Sequence, residues 1–228
     1  MRRVIELIEE TKHRFPKDKY FDGFVESCRI GSNKYLYYRT YDDALRVLDP
    51  KSWAILKSKA VNHFLDHRKG QLKQGFFNQL NEAFAYRWLA RRYRGRVQIL
   101  EEDGNRKPDI QYGASTTPQY CEVKTLGISD AEIERRTSCK SYDGIIFESL
   151  DTGFFRKLDS AFSEATNQIT AVGGSGLVFV VLKLEDIAVD HYSNYRAQIL
   201  RHCRDNDMAD LYVKVGIRGR RKIHLTKQ

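Results

Sequence analysis

The run Leu177 to Leu182 carries no polar side chain. It falls far short of the ~20 residues a membrane helix needs. It also lacks the alternation of a strand with one wet face. It therefore predicts a strand buried on both sides, in a sheet with helices on both faces. The pattern around it agrees. Phe155, Leu158, Ala161, Phe162, Ala165 and Ile169 form one helical stripe over 154–169, and Gly173-Gly174-Ser175-Gly176 ends it. Tyr192 to Cys203 reads as helix and Leu211 to Ile217 as strand. Upstream, Arg96–Leu100, Pro108–Tyr112 and Gln119–Leu126 read as strands, with turn composition over Gly113–Pro118. The expected fold is α/β, a central mixed β-sheet flanked by helices.

The first seventy residues read as helical and basic. Val4, Ile5, Leu7 and Ile8 recur with a helical period. Asp49-Pro50 reads as an N-cap with Pro at the first helical position, opening a helix through Trp53, Ile55, Leu56, Val61, Phe64 and Leu65. The expected organisation is a helical region over 1–70, serving recognition, dimerisation or core extension, and an α/β core over 71–228 that ends in a basic run. A helix from Gly75 to Tyr93 is apolar nearly all round (Phe76, Phe77, Leu80, Ala83, Phe84, Ala85, Trp88, Leu89) and is therefore expected to be buried. Glu82 lies within it, and buried carboxylates are rare unless paired or metal-bound.

The formal net charge of +9 favours a polyanionic partner, nucleic acid or an anionic membrane. The sequence offers no membrane-spanning stretch. Met1-Arg2-Arg3-Val4-Ile5-Glu6 turns acidic too soon for a signal peptide. A cytoplasmic protein is expected, with Cys28, Cys121, Cys139 and Cys203 as scattered reduced thiols.

Chemistry concentrates in the predicted hairpin. An acidic residue, any residue, then lysine means little alone, since about one or two occur by chance in such a chain. Glu10-Thr11-Lys12 falls in a helix, where residues two apart do not share a face. Asp49-Pro50-Lys51 falls at a helix start. Only Glu122-Val123-Lys124 falls in a strand, where Glu122 and Lys124 share a face. If Tyr112 faces Gln119 across the turn, Asp109 faces Glu122. Facing carboxylates repel, and a hard divalent cation reverses that sign. A bulge would shift this register by one.

Pro108-Asp109, twelve residues, then Glu122-Val123-Lys124 resembles the PD-(D/E)XK nuclease superfamily over roughly residues 75 to 183. The resemblance implies a restriction-endonuclease-like core. It implies Mg²⁺ (Mn²⁺ as substitute) on Asp109, Glu122 and the Val123 carbonyl, with Lys124 catalytic. Glu82 resembles an additional acidic residue on the preceding helix, and Gln168 resembles a glutamine beside the site. It implies an endonuclease, with DNA as the first reading and RNA left open, because backbone readout by Lys and Arg is similar for both. By analogy it implies a role in restriction or other defence, and cutting both strands of a duplex would call for a homodimer.

Other readings stand beside these. The motif residues can be an exposed salt-bridge ladder, and Glu82 can pair with Arg87 or Arg91. Gln168 can be a solvated helix residue. The chain can bind nucleic acid without cutting it. Phosphate-binding candidates are Arg218, Arg220, Arg221 and Lys222, in a run that begins at Lys214 and reaches Lys227. Others are Arg135 and Arg136 with Lys140, and the group Arg87, Arg91, Arg92, Arg94 and Arg96. Tyr192 and Tyr195 are candidate stacking residues. His63 and His67 have helical metal spacing, but Phe64 stands where a metalloprotease needs Glu.

Overall fold

The computed structural model describes the chain except residues 30–32, 68–70, 94–95, 103–106, 128–133, 135–137, 139–147, 184–190, 220 and 227–228. Arg94, Arg135, Arg136, Cys139, Lys140, Arg220 and Lys227 thus lie outside the described residues. The strands form one mixed, open sheet in chain order, β1 to β6, and helices accompany them, so the α/β expectation holds at that level. The chain divides into two compact units, Met1–Tyr120 and Cys121–Gln228. That division differs from the boundary read after residue 70.

The first unit opens with α1 (Arg2–Arg14), α2 (Phe24–Arg29), α3 (Asn33–Leu45), α4 (Pro50–Asn62) and α5 (Gln74–Arg92). The predicted N-cap of α4 is present: the Asp49 carboxylate accepts from the Lys51 and Ser52 backbone N–H groups, with Pro50 following. The helix stops at Asn62, short of the predicted Leu65. His63 and His67 therefore do not share a helical face. Phe64 leaves the helix but stays buried, stacked on Phe15 and Phe21.

Helix α5 is the axis of this unit, packing on α3, α4, β1 (Arg96–Ile99) and β2 (Ile110–Ala114). That explains its burial on nearly every side, although Trp88 stays partly exposed. The buried Asn81 accepts a hydrogen bond from the Tyr41 hydroxyl at 2.9 Å. Strands β1 and β2 pair antiparallel, Ile99 opposite Ile110. One more bond, Leu100 N–H to the Asp109 carbonyl at 2.8 Å, carries the pairing up to Asp109. The turn after β2 is shorter than predicted. Ala114 still belongs to β2, and β3 (Thr117–Leu126) starts at Thr117.

The second unit contains the rest of β3, α6 (Thr152–Ala171), β4 (Ser175–Leu182), α7 (Tyr192–Asp205), β5 (Leu211–Val215) and β6 (Lys222–Leu225). The apolar run is β4. It pairs parallel with β5, Val178 opposite Leu211 through Leu182 opposite Val215, and every residue from Leu177 to Leu182 is buried. Helix α6 packs its Leu158, Ala161, Ala165 and Ile169 stripe toward β4. Lys183 N–H donates to the Leu126 carbonyl, so the C-terminal ends of β3 and β4 meet.

The basic C-terminal run is not a free arm. Lys222 to Leu225 is an antiparallel edge strand on β5. Its alternation of Lys222 and His224 outward with buried Ile223 is the period-2 signal that the surrounding charge conceals.

Gly75 shows how closely α4 and α5 approach at their junction. Its N–H bonds to the Asp66 carbonyl at 3.0 Å. A Cβ there would meet Asp66 Cβ at 2.6 Å and the His63 carbonyl at 2.8 Å. Within a helix, Gly→Ala ordinarily stabilises by about 0.5–1 kcal/mol. Here Gly75→Ala is expected to destabilise by about 1–3 kcal/mol instead. Urea denaturation measures it, and a neutral or stabilised variant would contradict the close approach.

Candidate functional site

In the first unit, the buried face of α4 runs through Ser52, Ile55, Leu56 and Lys59. Lys59 is buried there, 4% exposed, which is exceptional for a lysine. Its Nζ donates to Glu82 Oε1 at 2.6 Å and to Asp109 Oδ1 at 3.3 Å. Glu102 Oε1 lies 3.8 Å away. Three elements thus converge on one ammonium: α4 supplies Lys59, α5 supplies Glu82, and Asp109 stands just before β2.

Burial alone pushes the Lys59 pKa down, but Glu82 and Asp109 outweigh it and hold the value above the ordinary lysine range. Burial, reinforced by Asp109, pushes the Glu82 carboxyl well above the carboxylate range. Three carboxylates within 4 Å of Nζ keep the lysine charged. Glu82 Oε2 is buried and has no hydrogen-bond partner among the described residues.

The cluster extends outward. Glu102 Oε2 lies 3.1 Å from His63 Nε2, and His63 Nδ1 lies 2.6 Å from Asp66 Oδ2. His63 caps the end of α4 with both ring nitrogens engaged by carboxylates. His67 is exposed and contacts the Leu65 carbonyl through Nδ1.

In the second unit, Glu122 and Lys124 share one face of β3, as strand alternation requires. Lys124 Nζ lies 3.0 Å from Glu122 Oε1 and donates to Gln168 Oε1 on α6 at 2.7 Å. Glu122 is buried, while Lys124 is partly exposed. Gln168 therefore holds the motif lysine. Cys121, on the opposite face, is fully buried. At the end of β4, burial pushes the Lys183 ammonium down to about 8.

Sequence reasoning missed three of these participants. Lys59 was legible as a lysine on the apolar stripe of α4, but its partner is distant in sequence. Glu82 pairs with Lys59 and not with Arg87 or Arg91. Lys183 announces itself only by following the apolar run directly, and Glu102 carries no sequence signal.

The basic candidates separate. Lys214 is buried, and its ammonium donates to the Gly216 and Ile217 carbonyls, so it is no surface phosphate ligand. Arg218, Arg221 and Lys222 are exposed near the turn into β6. Tyr195 is core. Tyr192 donates its hydroxyl to the Lys222 carbonyl, with Arg221 5.8 Å over its ring.

Among the described residues, no three His, Cys, Asp or Glu side chains form a group ready to hold a metal ion. The carboxylates of the first unit are gathered around an ammonium instead. Their chemistry fits a hard cation all the same, since the donors are carboxylate oxygens and one of them, Glu82 Oε2, lacks a partner. Among the described residues, no helix is long and apolar enough to cross a membrane. Compared with protein-family models, curated proteins and solved structures, the chain matches none.

The His63 environment generates a pH dependence. Desolvation lowers its pKa, but hydrogen bonds to Asp66 and Glu102 raise it above the ordinary 6.5. A raised histidine contributes stability that is complete below 6.5 and fades as pH rises through the folded-state value. With the side chain 34% exposed, the contribution stays below about 1 kcal/mol. Thermal denaturation of His63→Asn should therefore show a larger deficit against wild type at about pH 5.5 than at about pH 8.5. A deficit that ignores pH, or grows with it, would contradict this environment.

Proposed function

We propose that the chain is a metal-dependent endonuclease that hydrolyses phosphodiester bonds in DNA. The observation carrying this reading is Lys124, held between the buried Glu122 and Gln168 on the motif strand. A lysine serving only solubility needs no such support, and side chains that act on substrate do. Asp109 and Glu122, assisted by Glu82 and the Val123 carbonyl, are the residues that would hold Mg²⁺, or Mn²⁺ in its place. Such an ion, when bound, supplies Lewis-acid charge and makes water a nucleophile near neutral pH.

The remaining work falls to this chain's own groups. The Lys124 ammonium donates to the attacking water or to a phosphoryl oxygen, where charge grows in the transition state. Gln168 accepts from Lys124 and keeps Nζ directed. Arg218, Arg221 and Lys222 bind backbone phosphates, a readout that does not depend on base sequence. Arg135, Arg136 and Arg220 are assigned the same task on sequence alone.

Likeness to the PD-(D/E)XK superfamily suggests a restriction-endonuclease-like core, a cytoplasmic role in restriction or other defence, and a homodimer for two-strand cutting. The charge of +9 supports a nucleic-acid partner.

Supercoiled plasmid and single-stranded RNA, each incubated with the chain and Mg²⁺, test the reading. DNA nicking that EDTA abolishes is expected, with RNA spared. Lys124→Ala should lower the rate at least about a hundredfold. Cleavage that survives EDTA or the substitution contradicts the mechanism. Salt-dependent DNA binding with no cleavage would instead favour the non-cutting reading.

A further inference from the structure

We propose that Lys59 is a built-in cation that holds Glu82 and Asp109 until a divalent ion displaces it, so that Lys59 sets the metal concentration at which the site fills. The inference rests on the metal-dependent reading above and deepens it.

Its basis lies wholly within the first unit. The Lys59 ammonium occupies the position between two acidic side chains that a cation takes, 2.6 Å from Glu82 Oε1 and 3.3 Å from Asp109 Oδ1. The lysine does not finish the task. Glu82 Oε2 is buried and unpartnered among the described residues. A protonated carboxyl does not repair that, since its O–H would lack an acceptor where the anion's lone pairs now lack a donor. A divalent cation bonding Glu82 satisfies that oxygen.

Displacement also has a route. Lys59 has a flexible four-carbon stem, and Glu102 Oε1 stands 3.8 Å from Nζ on the exposed side of the cluster. Glu102 is itself held, by His63 at 3.1 Å and by Gln79 Nε2 at 3.4 Å. The ammonium can therefore leave Glu82 and Asp109 without losing an ionic partner. An ion of twice the charge that binds oxygens at about 2.0–2.1 Å competes effectively for Glu82 and Asp109.

The test is Mn²⁺ binding to the full chain, by calorimetry and by electron paramagnetic resonance of the free ion. Wild type, Lys59→Met and Lys59→Arg are compared. Lys59→Met should bind Mn²⁺ about tenfold tighter, the size expected for coupling between groups in contact. Its melting temperature should lie below wild type without metal and approach it with Mn²⁺. Lys59→Arg, which keeps the charge, should not tighten binding. A readout on wild type covers the case in which Lys59→Met fails to fold. Reductive methylation of Lys59, followed by mass spectrometry, should accelerate at saturating Mn²⁺. Unchanged or weaker Mn²⁺ binding by a folded Lys59→Met overturns the inference, and so does methylation that ignores Mn²⁺. Wild type that binds no Mn²⁺ overturns the metal-dependent reading as well, whereas the first two results leave that reading standing.

Discussion

The ammonium of Lys59, buried against Glu82 and Asp109, is the interaction on which the first unit depends. Taking charges out of water costs several kcal/mol per ion, and only close, well-formed pairing repays it. The pairing here joins α4, α5 and the approach to β2 at one point. Removing one member of such a set typically costs about 3–5 kcal/mol, because the other charges stay buried. Replacing the whole set with apolar side chains often stabilises a protein. Stability alone is therefore a poor reason for this cluster to exist. The cation site proposed above would be a better one.

The second unit solves the complementary problem. Glu122 is buried on β3, and Lys124 beside it is steadied by Gln168 from α6. Strand alternation puts the two motif side chains on one face, and the helix stripe of Leu158, Ala161, Ala165 and Ile169 fixes where Gln168 falls. Local geometry thus turns a tripeptide of little statistical weight into a held lysine. The first unit gathers carboxylates around one ammonium, and the second holds a lysine beside its own carboxylate.

How much of this was legible depended on whether the signal was local. The apolar run of β4, the Asp49 cap of α4, the buried face of α5 and the stripe of α6 follow from periodicity and capping, and each formed nearly where the pattern puts it. Burial of Glu82 was legible for the same reason, as a carboxylate in an apolar helix. Its partner was not, because Lys59 lies a whole helix earlier: its place on the apolar stripe of α4 marks it as buried but does not say against what. Strand β6 was hidden by charge: Lys222 and His224 face outward on an edge strand, where charged side chains guard against aggregation. The same density of charge made Lys214 look like a phosphate ligand, whereas its neighbours' carbonyls consume it. The early end of α4 is tertiary in origin, since Phe64 leaves the helix to stack on Phe15 and Phe21.

The central claim is that the carboxylates gathered around Lys59 are metal ligands. Anomalous diffraction from crystals soaked in Mn²⁺ tests it most directly. The account predicts an anomalous peak bonded to carboxylate oxygens of Glu82 and Asp109, with the Lys59 ammonium moved off Glu82. An ordered Glu82 and Asp109 with no peak beside them at millimolar Mn²⁺, and Lys59 still on Glu82, would contradict it.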